Sequence, residues 1–96
     1  MRRAWLVTYD ICEPKRLRQV YQVCRAFGDH IQYSVFRCDL TEAMKVRFLS
    51  MLDAVVNHKE DQVLLIPLGA SDEAVDRTFE TVGQPYQRRP RRSTIV

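Results

Sequence analysis

The chain has 96 residues, of which 46% are hydrophobic and 28% charged. That balance fits one small globular domain and excludes global disorder. The formal net charge is +3, and the excess sits in residues 84–96, where Arg88, Arg89, Arg91 and Arg92 stand with no acid. No apolar run reaches membrane-spanning length. The basic-then-apolar opening Met1-Arg2-Arg3-Ala4-Trp5-Leu6-Val7 is cut off by Thr8, Tyr9 and Asp10, and no small-residue cleavage site follows. A cytoplasmic protein is expected. Cys12, Cys24 and Cys38 form no Cys-x-x-Cys or Cys/His pair, which argues against zinc and fits free thiols in a reducing compartment.

Residues 4–10 are rich in β-formers and predict a buried strand ending in the carboxylate of Asp10. Pro14 suits the first turn of a helix. Leu17, Val20, Tyr21, Cys24 and Phe27 then recur at helical spacing, and Gly28 stops the run. Residues 30–38 alternate, with Ile31, Tyr33 and Val35 on one face and Gln32, Ser34 and Phe36 on the other. They predict one strand, or two short strands whose break no Gly or Pro marks. Asp39 or Thr41 caps a second helix, whose buried face is Met44, Phe48, Met51, Leu52 and Val55 and which ends at Asn57 and His58.

Residues 63–68 predict a further strand, with Pro67 placed at an edge or an end. Residues 70–78 suit a short helical turn, and Phe79–Val82 and Ser93–Val96 two short strands separated by an arginine-rich loop. The order is that of an α+β fold, a ferredoxin-like βαββαβ sandwich with extra C-terminal strands. Both helices are expected on one sheet face. A symmetric homodimer would cover the other face, its terminal strands pairing with the partner's sheet edge. Residues 1–83 then form the domain, and residues 84–96 a basic extension.

Asp10 is the first candidate for chemistry. A carboxylate at the end of a buried strand is well held and accessible, and it suits Mg²⁺ or Mn²⁺. A strand-end aspartate is more commonly a turn former, but two copies across a two-fold axis would share one ion. Lys15, Arg16 and Arg18 crowd a helix start, where cations oppose the helix dipole. Lys15, Arg18, Gln22 and Arg25 make a polar stripe, which is either a phosphate-binding surface or a solvated face. The Ser34 hydroxyl suits a phosphate contact. Phe36 suits base stacking, with a core or interface role favoured over it. His30 and His58 have no sequence neighbour that suggests a triad.

Tyr9-Asp10-Ile11, the basic start Lys15-Arg16-Leu17-Arg18, and above all Ile31-Gln32-Tyr33-Ser34-Val35-Phe36 resemble the CRISPR-associated protein 2 family. Glu60-Asp61-Gln62-Val63-Leu64 with Ile66-Pro67-Leu68, and the final Thr94-Ile95-Val96, are similar to its later strands, so the resemblance runs nearly the whole length. It implies a ferredoxin-like homodimer acting in spacer acquisition, either as an Mg²⁺-dependent endonuclease on RNA or double-stranded DNA or as a non-catalytic scaffold. In the scaffold role the dimer bridges dimers of the integrase, CRISPR-associated protein 1, and holds duplex DNA. The family's metal aspartate falls on Asp10, and its basic position on Arg16 or Arg18. Its serine and phenylalanine of the second block fall on Ser34 and Phe36; Tyr9, Lys15, Arg88 and Arg89 are the further candidate nucleic-acid contacts of this sequence. Where the family often has an acid or glycine after the phenylalanine, this chain has Arg37-Cys38. An extra cation near the site leans toward phosphate binding over catalysis. Small toxin ribonucleases and RNA-recognition modules rank below, the latter because their aromatic strand motif is missing.

Overall fold

The computed structural model describes residues 1–71 and 73–87. The elements run β1 (Arg3–Asp10), α1 (Pro14–Phe27), β2 (Asp29–Gln32), β3 (Val35–Leu40), α2 (Glu42–Val55), β4 (Gln62–Ala70) and α3 (Glu73–Arg77). The four strands form one sheet in the order β2-β3-β1-β4, with every neighbouring pair antiparallel. That is the expected ferredoxin-like α+β architecture. β1 lies inside, paired with β3 on one side and β4 on the other. β4 lies at an edge, where Pro67 forfeits no ladder bond.

Helix α1 starts where Glu13 accepts hydrogen bonds from the backbone N–H groups of Lys15 and Arg16 at 2.9 and 2.8 Å. Pro14 follows in the first turn, where a missing N–H costs nothing. Its buried stripe is Val20, Val23, Cys24 and Phe27, so Val23 takes the inward place expected for Leu17, which is exposed. Gly28 ends the helix for a packing reason. A Cβ there would sit 2.5 Å from the Arg37 carbonyl oxygen and collide with the Cys38 Sγ. The backbone of Gly28 is extended, so its role is close approach to β3. Helix α2 is capped by Thr41, whose Oγ1 accepts from the Met44 N–H at 3.1 Å. Asp39 lies inside β3. Met51, expected on the buried face of α2, is exposed, and Phe48 and Leu52 carry that face.

Both helices cover one face of the sheet. The core joins Val7 and Tyr9 of β1 and Phe36, Cys38 and Leu40 of β3 to Val20, Val23, Cys24 and Phe27 of α1 and Phe48 and Leu52 of α2. Period-two alternation puts Leu6, Thr8 and Asp10 on the opposite face. Their strand partners there include Arg37 and Val35 of β3 and Ile66, Leu64 and Gln62 of β4. Leu64 and Ile66 are 45% and 42% exposed.

The continuous alternation expected over residues 30–38 is broken. A turn at Tyr33–Ser34 separates β2 from β3, and the register shifts between His30 and Gln32. Gln32, Ser34 and Phe36 therefore do not share one strand face. Residues 79–82 form no strand; Phe79 instead packs its ring 4.7 Å from that of Tyr86. The expected terminal strand 93–96, Arg88 and Arg89 lie outside the described residues. No helix among the described residues is long and apolar enough to cross a membrane.

Candidate nucleic-acid and metal site

Three features meet at one end of the sheet: the C-terminal end of β1, the start of α1 and the β2–β3 turn. Antiparallel pairing of β1 with β3 brings the turn beside Asp10, and the Tyr9 N–H donates to the Ser34 carbonyl at 3.2 Å. Asp10 is exposed. Among the described residues its carboxylate makes no ion pair, and no group of three or more His, Cys, Asp and Glu side chains could enclose a metal. One chain thus offers a single open carboxylate on a rigid strand. This fits an ion such as Mg²⁺, which takes one or two carboxylates and keeps its other ligands as water. It does not fit an all-protein cage within one subunit.

The loop after Asp10 is clamped from the far side. The Asp61 side chain is fully buried and accepts from the Cys12 N–H (3.0 Å), the Asn57 N–H (2.8 Å) and Arg16 Nε (2.8 Å). Arg16 also reaches Glu60 at 3.1 Å and Glu13 at 3.9 Å. The Arg16 guanidinium, followed by the Asn57 and Cys12 N–H groups, holds the Asp61 carboxyl well below its ordinary range. The backbone bonds from Lys15 and Arg16 likewise lower Glu13. Sequence reasoning left Arg16 and Arg18 as equal candidates for phosphate; the structure separates them. Arg16 is committed to three carboxylates, whereas Arg18 and Lys15 are exposed. The clamp partner Asp61 had no local signal, because it acts 45 residues away from Arg16.

Phe36 is fully buried, and its ring packs against those of Tyr9, Tyr21 and His30 at centroid distances of 6.3, 5.5 and 4.9 Å. It fills the core, the role favoured for it. Tyr9 is buried too, and burial, helped by Cys24 and Tyr21, pushes its hydroxyl up to about 12. Burial also pushes the Cys24 thiol up to about 12, so it stays protonated and unreactive. Ser34 is half-buried at the turn.

Arg37 corrects an expectation. It does not add a free cation to the site: it is buried on the second sheet face, 3.3 Å from Asp39 and against the Asp76 carboxylate of α3. A lone strand arginine reads as a surface charge. Here a later helix folds over it and neutralises it.

The profile of the family described as CRISPR associated protein Cas2 matches residues 2–74. The chain belongs to the Cas2 family. It is 33% identical over 93 residues to a protein of Rhodospirillum rubrum named CRISPR-associated endoribonuclease Cas2 1, covering 97% of this chain and 90% of that one. To the CRISPR-associated endoribonuclease Cas2 of Geobacter sulfurreducens it is 31% identical, with both chains covered in full. The crystal structure of Streptococcus pyogenes Cas2 superposes with a TM-score of 0.72 at 33% identity, over 83% of this chain and 99% of that one. A hypothetical protein of Thermus thermophilus, TT1823, shares the fold with a TM-score of 0.77 at 20% identity, over 93% of this chain and all of that one.

Proposed function

We propose that this Cas2-family chain is a metal-dependent endonuclease subunit of CRISPR spacer acquisition. It works as a symmetric homodimer in which Asp10 of each subunit helps to hold one Mg²⁺ or Mn²⁺. The observation that carries this reading is Asp10 itself, an exposed carboxylate at the end of a strand bonded on both sides, with the loop behind it clamped by Asp61. The partly exposed face that carries Leu64 and Ile66 also carries Asp10. Burying that face against a second copy removes apolar surface from water and brings the two carboxylates toward one axis.

A divalent ion bound there supplies polarisation of a phosphoryl oxygen and an acidified water. Asp10 orients the ion, Lys15 and Arg18 attract and position the phosphate backbone, and the Ser34 hydroxyl donates to a phosphate oxygen. The buried Arg37 and the committed Arg16 take no part in binding. The names of the relatives support RNA as substrate; double-stranded DNA is the other candidate.

A second reading is a non-catalytic scaffold, in which Lys15, Arg18, Arg88 and Arg89 hold duplex DNA and the dimer docks CRISPR-associated protein 1. It is favoured by the exposed cations Lys15 and Arg18 at the start of α1, which suit a nucleic-acid backbone with or without cleavage. Labelled single-stranded RNA and duplex DNA, incubated with Mg²⁺, Mn²⁺ or EDTA, test the two. Metal-dependent cutting that Asp10→Asn abolishes supports the nuclease. No cutting by the wild type, with salt-sensitive duplex binding in both proteins, supports the scaffold.

A further inference from the structure

The strands beside β1 hold Asp10 unevenly. The β1–β4 register runs to the last residue of β1, pairing Tyr9 with Val63 and Asp10 with Gln62. The β1–β3 register stops earlier, at Thr8 and Val35. Asp10 and the loop after it therefore rest on the segment that leads into β4.

That support continues past the ladder through a side chain. Asp61 directly precedes Gln62, and its buried carboxylate accepts from the N–H of Cys12, two residues after Asp10, at 3.0 Å. The Cys12 thiol adds a second tie, donating to the Glu60 carbonyl at 2.9 Å. The same Asp61 carboxylate takes Arg16 Nε at 2.8 Å. Arg16 lies in the first turn of α1, between the exposed Lys15 and Arg18. One buried group thus grips the chain just beyond the candidate metal carboxylate and also the helix start that carries the free cations. A buried ion pair is a weak device for stability alone, because apolar residues of like volume often serve as well. Charge-assisted bonds to two backbone N–H groups and a guanidinium supply direction instead, and allow the loop one arrangement.

We infer that Asp61 is the positioning residue of the Asp10 site: through Cys12 and Arg16 it fixes the strand-end carboxylate and the start of α1 in one geometry. Asp61 itself touches neither ion nor substrate. The inference rests on the metal reading of Asp10 and adds the group that sets that carboxylate's place.

The full chain is titrated with Mn²⁺, and the free ion is followed by electron paramagnetic resonance. Wild type, Asp10→Asn, Asp61→Asn, Arg16→Lys and Phe48→Leu are compared, each well below its melting temperature. Asp61→Asn keeps the shape of the side chain and loses the charge that holds Arg16. Arg16→Lys keeps a cation without the guanidinium fork. Phe48 is fully buried against Phe27, so Phe48→Leu lowers stability without touching the clamp. RNA affinity in EDTA and cleavage with Mn²⁺ at saturating RNA are measured on the same proteins. The expected result is Mn²⁺ affinity weaker by about ten-fold or more in Asp61→Asn, the scale on which groups that orient a metal ligand act. Arg16→Lys should lose less, Phe48→Leu nothing, and Asp10→Asn at least as much as Asp61→Asn. RNA affinity in EDTA should be unchanged by Asp61→Asn, and its cleavage should lose kcat with KM retained.

Mn²⁺ affinity of Asp61→Asn equal to wild type would overturn the inference and leave the nuclease reading standing. An equal loss in Phe48→Leu would also overturn it, since the effect would then be one of stability. Wild type that binds no Mn²⁺, or Asp10→Asn that binds it as wild type does, would overturn the inference together with the metal reading. Asp61-dependent Mn²⁺ binding without any cleavage would uphold the inference and overturn the nuclease reading.

Discussion

Phe36→Ala separates a core residue from a nucleic-acid contact. The ring is fully buried between β1, β2 and α1, against Tyr9, Tyr21 and His30. Truncating such a ring costs about 3–5 kcal/mol, counting both lost transfer energy and residual cavity. A small domain holds only about 5–15 kcal/mol in all. At about 4–8 °C per kcal/mol for a domain of this size, the melting temperature should fall by on the order of 20 °C. Phe36→Leu retains most of the apolar volume and should fall by clearly less. Thermal unfolding followed by circular dichroism, at one fixed protein concentration because a dimer melts by mass action, measures both. Nucleic-acid affinity of the folded Phe36→Leu protein should match wild type. An unchanged melting temperature with lost affinity would refute the reasoning, since the ring would then act on the ligand.

Three further expectations follow from the same geometry. Arg18→Ala should weaken nucleic-acid binding and reduce the salt slope by about 1, whereas Arg16→Ala should chiefly lower stability; anisotropy titrations at several salt concentrations and melting curves check both. The Asp61 carboxyl is held below its ordinary value in the folded chain. Its contribution is therefore complete above the unfolded-state value and is lost as pH falls through the folded one, so Asp61→Asn should be less stable at neutral pH yet lose less on acidification to about pH 3. Melting temperatures of both proteins across that range give the answer, and parallel curves would count against the clamp. Gly28→Ala should destabilise through collision with Cys38 and the Arg37 carbonyl, although its backbone angles suit alanine; a urea midpoint equal to wild type would contradict this.

What the sequence revealed and what it hid follow one physical division. Elements with strong apolar periodicity were legible: β1, both long helices and β4 lie where spacing and capping residues put them. The β2–β3 break was not localised, because Tyr33 adopts a glycine-like angle that its residue type does not advertise. Phe79–Val82 carries β-formers, but a strand needs a neighbour and the described chain gives it none. Within the site, Asp10 could be singled out from its place at a strand end. The division of labour between Arg16 and Arg18 could not, because it depends on Asp61 arriving from β4's leading loop. The burial of Arg37 was likewise set by Asp76, a distant partner in α3.

The central claim is that two Asp10 carboxylates act together on one ion. Wild-type and Asp10→Asn subunits, mixed in varied proportions, exchanged under mild denaturant and refolded, test it most directly through their Mg²⁺-dependent cleavage rate at constant total protein. If both carboxylates of a dimer are required, activity will fall as the square of the wild-type fraction. A strictly linear fall would show that each subunit cuts alone, and would contradict the shared site.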